Sequence, residues 1–356
     1  MWNNALHLLI AAVLSFQAAL APYTYHFPRD HGAHDAYRTE WWYFTGHLRT
    51  ARGRRFGFEL TIFRIGLEPR PSAWRRGESR WRAYQLYPAH LAITDEQTHT
   101  FVYAQTFARD ALGAGYASQS RLHAGANGWT LDGSDAVRPR MHLQGSSNGN
   151  GIDLMLHSIK PPAIHGINGI SRKGPCASCA SHYYSFTRLL ASGTVMRAGV
   201  RYRVAGIAWM DHEYGSDELT ANQIGWDWFA IQLNDDREIM LYRLRERSGA
   251  TTPQSSGSLI DAHGTVRYLP LRAFSIAATG SWRSPHTGAL YPSGWTVTVR
   301  GAGTLALVPV MRDQELADAG GTSYWEGDVD VRDPRTGARI GEGYVELTGY
   351  TSRVNI

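Results

Sequence analysis

The segment Glu40–Ile65, EWWYFTGHLRTARGRRFGFELTIFRI, can be laid over Gly225–Arg245, GWDWFAIQLNDDREIMLYRLR, so that Trp41 falls on Trp226, Tyr43 on Trp228, Phe44 on Phe229 and Leu48 on Leu233. Each copy mixes aromatic and β-branched residues with polar ones at period two and is broken once by a turn-forming cluster, the pattern of a β-hairpin. The likeness continues beyond the hairpin. HLAITDEQTHTF from His90 corresponds to SLIDAHGTVRY from Ser258, and HYYSFTRLLASGTVMRAGVRYRVAGIAWMD from His182 corresponds to SYWEGDVDVRDPRTGARIGEGYVELT from Ser323. An order of elements preserved over such distances predicts a duplicated domain, with one copy over about 23–211 and the other over about 220–356. The stretch GSSNGNG at 145–151 reads as a loop inside copy one, because strand signals resume at IDLMLHSI.

A chain of 356 residues exceeds the size at which a single hydrophobic core keeps growing, which agrees with two domains. With 43% hydrophobic and 19% charged residues, 12 Trp and 18 Tyr, it has side chains enough for two cores and too little charge for disorder. No long segment after the leader carries a helical stripe, so the expected class is all-β, with barrels or sandwiches. The formal net charge of +5 is carried by arginine, since Lys160 and Lys173 are the only lysines. These arginines are scattered, and the one local bunch, Arg49 to Arg55, reads as a solvated hairpin turn, so nucleic-acid binding is not expected.

The N-terminus, MWNNALHLLIAAVLSFQAALAP, has the apolar run of a secretory signal cut after Ala21, although no Lys or Arg precedes it and Pro22 follows. Residues 1–21 are therefore expected to be a signal peptide and the protein to be secreted or periplasmic. No later run is apolar for about 20 residues, so membrane contact is expected to be peripheral at most. GPCASCAS holds the only cysteines, Cys176 and Cys179. One CxxC cannot supply four zinc ligands and no strand–helix pattern surrounds it, which leaves a small-loop disulfide as the expectation.

Chemistry concentrates in GIAWMDHEYGSDE, residues 206–218. On a strand Ile207, Trp209 and Asp211 share one face, while Ala208, Met210 and His212 share the other, so Asp211 and His212 are not natural co-ligands and no metal is expected. Asp211 continues an apolar face two residues from an indole, where a carboxylate must be paired or have its pKa raised. SHYYSFTRL places His182, Tyr184 and Phe186 on one face, and as an antiparallel neighbour it would bring His182 and Tyr184 toward Trp209 and Asp211. Such a cluster is either an acid catalyst with an aromatic wall or a buried polar network. Trp42, Tyr183, Glu213, Trp226 and Trp228 are the expected substrate contacts around it, though some of the tryptophans at 41, 42, 226 and 228 must fill cores.

RTEWWYFTGHL, SHYYSFTRL, GIAWMDHEYGS, GWDWFAIQL, SYWEGDV and GEGYVELTGY, in this order and spacing, resemble the AttH-type, carotenoid 1,2-hydratase-like family of lipocalin-like proteins, usually labelled secreted hydrolases. The match runs from about Tyr23 to Tyr350. It implies two tandem lipocalin-like β-barrels arising from the duplication, and relatives that include carotenoid hydratases, a fungal hydratase of plant-defence compounds and fungal cyclases. The His-x-Trp and Tyr-x-Asp pairs of the carotenoid hydratases fall on His182, Tyr184, Trp209 and Asp211, with both aromatic positions exchanged for the other aromatic type.

Acid-catalysed hydration of a C=C bond suits these residue types. It needs a neutral carboxylic acid to protonate carbon, and electron-rich rings to hold the resulting cation, worth ~2 kcal/mol or more when desolvated. Keeping Asp211 protonated near neutrality means raising its pKa by roughly 3 units, which an indole-lined pocket can impose. In copy two, Trp325 and Glu346 are present but Thr348 stands in the place of Asp211, so at most one acid site of this design is expected. No G-x-S-x-G elbow or H-E-x-x-H occurs, so a nucleophilic or zinc hydrolase finds no support. The expected substrate is a hydrophobic, isoprenoid- or polyketide-like small molecule, with no cofactor. The alternative is a non-catalytic carrier of a hydrophobic ligand or lipid.

Overall fold

Thr39–Arg49 and Val200–Gly215, the first and last long strands of copy one, pair antiparallel with Tyr43 opposite Asp211 and Trp42 opposite His212. Copy two repeats the arrangement, since Gln223–Leu233 pairs with Arg339–Leu347 with Trp228 opposite Glu346. These pairings come from a computed structural model that describes residues 15–69, 79, 81–217, 219–319 and 322–354. Most of the expected signal segment, residues 1–14, lies outside the described residues. The remainder lies against copy one, where the Gln17 N–H donates to Ala36 O at 2.8 Å and Ala19 is fully buried.

The chain is all-β. Among the described residues a 13-stranded sheet is built from copy one and a 10-stranded sheet from copy two. The first runs from the Thr100–Arg109 edge through Gln85–Asp95, Arg55–Gly66, Thr39–Arg49, Val200–Gly215 and Ala180–Arg197 to Asn150–Ser158 and the short strands beyond it. The second has the same order, from Val266–Pro270 through Ser256–Ile260, Glu238–Glu246, Gln223–Leu233, Arg339–Leu347 and Thr322–Arg332 to Gly303–Pro309. Identical strand order in both sheets is the structural form of the duplication, and each curls into a lipocalin-like barrel. The first is nearly closed: its edges are joined by the Ala111–Gly113 turn, and Asn127 Nδ2 reaches across to Thr106 Oγ1 at 2.8 Å.

Period two sorts the side chains. Trp42, Phe44 and Leu48 point into the first barrel with Phe56, Phe58 and Leu60, all at most 1% exposed. Phe229, Ile231 and Leu233 do the same in the second barrel with Trp295 and Val345. Trp41, Tyr43, Trp226 and Trp228 take the opposite faces, and a third apolar cluster forms where the barrels pack outside to outside. The aromatic hairpins of the two copies thus face one another, with the Tyr43 and Trp228 rings edge-on at 5.1 Å. Gly57 permits the close approach, because a Cβ there would lie 2.6 Å from Asp328 Oδ2 of the other barrel.

Polar groups lock the junction at its far end. Glu238 of the second barrel is fully buried and takes Lys160 Nζ at 2.7 Å and Arg188 Nε at 2.5 Å from the first. Thr187 Oγ1 also donates to it at 3.0 Å, and Gln232 Nε2 donates back to Thr187 O at 2.8 Å. Replacing Glu238 with Ala leaves Lys160 without its anion and Arg188 with only Asp236 at 3.5 Å, and should cost about 3–5 kcal/mol. Because those cations belong to the other barrel, calorimetry of Glu238→Ala should show a lowered Tm with the two barrels unfolding separately. An unaltered thermogram would remove this ion triplet from the forces joining them.

Candidate active site

Asp211 sits where three strands meet the second barrel. Its cross-strand partners are Tyr43 on one side and Ser185 on the other, and residues directly opposite one another share a face. Odd-numbered residues therefore come together here: Asp211, Trp209 and Glu213 with Ser185, Tyr183 and Tyr43. Oδ1 of Asp211 accepts the Trp209 indole N–H at 2.6 Å and the Ser185 hydroxyl. Oδ2 accepts the Tyr183 hydroxyl at 2.6 Å, and the Tyr183 oxygen in turn accepts Trp228 Nε1–H at 2.9 Å from the second barrel. Behind Ser185, His165 Nε2 lies 2.6 Å from its hydroxyl and His165 Nδ1 2.9 Å from that of Ser258. Burial, with Lys173 adding to it, pushes His165 down to about 3, so the imidazole is a neutral positioning group.

In front of Asp211 a cavity opens between the barrels. Its walls are aromatic, among them Trp41, Tyr43, Phe63, Trp226, Trp228 and Tyr242. An apolar lining interrupted by a few polar groups is that of a small-molecule site. Three carboxyl groups and an amine interrupt the walls: Asp211, Glu346, Glu213 and Lys173. The last two form an ion pair at 2.7 Å, with Lys173 Nζ held 4.1 Å above the Tyr242 ring. Burial pushes Asp211 up to about 7 despite hydrogen bonds from Ser185, Tyr183 and Trp209 that pull the other way. Glu346 is likewise pushed up to about 7 by burial, offset in part by the Trp226 Nε1–H at 2.7 Å. The pocket thus holds two carboxyl groups, Asp211 and Glu346, that gain and lose their protons near neutrality.

The structure separates some of the expected site residues. His182 and Tyr184 lie on the opposite face from Asp211, inside the first barrel. His182 Nε2 is 3.0 Å from the Tyr37 hydroxyl, and its ring is fully buried and pushed down to about 4, first by burial. Tyr184 holds its hydroxyl 2.7 Å from His31 Nδ1 and 3.1 Å from His212 Nδ1. The register pairs Ser185 rather than Tyr184 with Asp211, and a one-residue offset moves every side chain to the other face. Trp42 is also in the barrel core, stacked 5.0 Å from the His212 ring, so Trp41 is its neighbour that lines the cavity. Tyr183, Glu213, Trp226 and Trp228 line the cavity, while Trp209 supports Asp211 from behind. Cys176 and Cys179 are joined by a disulfide. It lies within a loop that begins at Lys173, whose N–H donates to Cys179 O at 2.8 Å.

Ser185, His165, Lys173, Trp41 and Glu346 were not singled out as site residues by the sequence. Ser185 carried a signal, being two residues from Tyr183 on a strand. The others arrive from a loop, from the neighbouring hairpin face or from the second barrel.

Among the described residues one group could offer metal ligands: His34, Glu40 and His212, buried, with candidate atoms all within 4.8 Å. The Glu40 carboxylate is already engaged. Glu40 receives Arg64 Nε at 2.7 Å, His34 Nδ1 at 2.8 Å and His212 Nε2 at 2.8 Å. A guanidinium already neutralises the carboxylate, so the group is a structural ion network beneath the site.

Asp211 also couples stability to pH. Between its ordinary 3.8 and about 7 the folded chain keeps a proton that the unfolded chain has released, so stability falls as pH rises through that window. Asp211→Asn cannot ionise and escapes this fall. The stability of the variant relative to wild type should therefore improve by on the order of 4 kcal/mol between acid and neutral pH, read from denaturant midpoints. A difference flat with pH would return Asp211 to the ordinary carboxylate range.

The AttH-like family model matches residues 18–350. Among solved structures, one described as an AttH of Nitrosomonas europaea is 32% identical over 94% of this chain and 99% of that one, with a TM-score of 0.83. Kievitone hydratase from Nectria haematococca superimposes with a TM-score of 0.67 at 14% identity, covering 95% of this chain and 97% of its own. CghA with Sch210972 does so at 0.56 and 10% identity, with the same coverage of 95% and 97%. At those identities the last two share the fold. No curated protein sequence matches. With the family model matched over residues 18–350, this chain belongs to the AttH-like family.

Proposed function

We propose that the protein adds water across a C=C bond of a hydrophobic, isoprenoid- or polyketide-like substrate, with Asp211 as the proton donor. One observation carries the reading: a carboxyl group pushed up to about 7 by burial lines an aromatic cavity between the barrels. A neutral acid in an apolar site can protonate carbon, which a solvated carboxylate cannot do at neutral pH. Trp41, Trp226 and Trp228 offer ring faces to the cation that forms, worth ~2 kcal/mol or more in a desolvated site. The Lys173–Glu213 pair at the same wall gives a polar substituent of the substrate somewhere to bind. That a protein of the same fold is named as a hydratase agrees with this chemistry. We also place the reaction outside the cytoplasm, secreted or periplasmic, because an apolar leader and a disulfide both suit an exported chain.

The test begins with mass spectrometry of what co-purifies with the protein, followed by turnover of those molecules and of a panel of prenylated phenols and acyclic isoprenoids in ¹⁸O-labelled water. The expected product gains one labelled oxygen. Asp211→Asn should reduce its formation by ~10²–10⁴-fold while binding persists, the loss typical of a missing general acid. Bound molecules recovered without label from wild type and variant alike would make the protein a carrier.

A further inference from the structure

Strand registers define which residues of the two copies are equivalent. In copy one Asp211 lies opposite Tyr43 and opposite Ser185. In copy two the residue opposite Trp228 and opposite Glu326 is Glu346. Trp228 is the counterpart of Tyr43, so Glu346 is the counterpart of Asp211. The sequence-based placement of Thr348 at that position is therefore corrected. Thr348 lies two residues on, where its hydroxyl oxygen accepts the Trp226 N–H at 2.9 Å.

The duplication thus brings two equivalent acids to one cavity from opposite barrels. Each is held by an indole: Trp209 Nε1–H on Asp211 at 2.6 Å and Trp226 Nε1–H on Glu346 at 2.7 Å. Among the described residues no ion pair reaches either of them, because Lys173 is engaged with Glu213. Around Glu346 the facing groups are Asp211 and the Glu213–Lys173 pair from the first barrel, Glu59 from its Arg55–Gly66 strand, Glu326 from the adjacent strand, and the phenols of Tyr43 and Tyr324. Glu59 and Glu326 are fully buried, and each leaves one carboxyl oxygen without a partner. The surroundings of Glu346 therefore oppose a second negative charge beside Asp211.

We propose that Glu346 is the second acid–base residue of the cavity, the group that takes a proton from the attacking water while Asp211 gives one to carbon. This rests on the reading of Asp211 as the acid. The alkene π pair forms a C–H bond with the Asp211 proton and leaves a carboxylate. A water lone pair then forms the C–O bond to the cation, and the proton it sheds passes to the Glu346 carboxylate. Substrate plus water becomes alcohol. The pair ends with the one proton it began with, now on the other member, and its return to Asp211 resets the site. Two like acids in one apolar cavity suit this exchange: burial pushes each up to about 7, and the charge of Asp211 adds to the rise at Glu346, so one can hold the proton while the other is ionised.

The experiment is a pH titration by ¹³C NMR of protein labelled at the Asp and Glu carboxyl carbons, in wild type, Asp211→Asn and Glu346→Gln. In wild type both residues should titrate around neutrality with two-step curves. In Asp211→Asn the Glu346 curve should become a single step displaced downward by about 1 pH unit or more, and Asp211 should respond in the same way in Glu346→Gln. A Glu346 curve unmoved by loss of Asp211, or a Glu346 that stays protonated throughout, overturns the proposal and leaves the Asp211 acid standing. An Asp211 that titrates in the ordinary carboxylate range in wild type overturns both. If a variant fails to fold, the wild-type curves decide: single-step titration of both residues refutes the shared proton.

Discussion

Both faces of the strands at the junction are buried, one inside a barrel and the other between the barrels, and that constraint governs the rest of the molecule. A strand with a solvated face tolerates some imprecision of register. Thr39–Arg49 and Val200–Gly215 do not, because a one-residue slip would send Trp42, Phe44 and His212 to the interface and Tyr43, Asp211 and Glu213 into the barrel core. Glu40 pins the arrangement at one end of the pair. Burial works against its charge, yet Arg64, His212 and His34 together hold its carboxyl well below the usual range. The same ladder that packs the first barrel therefore also fixes where the Asp211 carboxyl stands.

Three buried carboxyl environments show how partners decide the fate of one chemical group. Glu40 has a guanidinium and stays charged, and Glu238 is bracketed by an ammonium and a guanidinium. Asp211 has only neutral donors, a phenol, a hydroxyl and an indole, and keeps its proton into the neutral range. The aromatic cavity lies beside this third type, where the outer faces of the two barrels leave a gap as they meet. Unlike the central cavity of a single-barrel carrier, this one lies outside both barrels, with walls drawn from each.

The architecture was legible in the sequence because period-two alternation and a repeated order of elements are properties of the chain alone. The oddity of Asp211 was legible as well, since a carboxyl two residues from Trp209 on an apolar face demands explanation. The company it keeps was not. Whether Tyr183 or Tyr184 reaches it depends on the parity of one cross-strand pairing, which alternation within a strand cannot supply. Trp228 meets Tyr183, and Ser258 meets His165, only because two barrels dock at a particular angle. The equivalence of Glu346 with Asp211 was hidden for a related reason. Linear alignment counts residues from motifs, while the sheets count them from the partner strand.

The scarcity of lysine has a practical side. Lys160 is 3% exposed and clamped between barrels, while Lys173 is 6% exposed and paired inside the cavity wall. The positive charge of the surface is therefore carried by guanidinium groups, which amine-directed reagents ignore. Acylation, amine cross-linking or dye coupling under native conditions has no solvent-facing lysine to modify, so a reagent that consumes Lys173 has entered the cavity and displaced Glu213 to do so. For this protein, amine labelling that falls on a lysine rather than on the α-amino group becomes a measure of access to its interior.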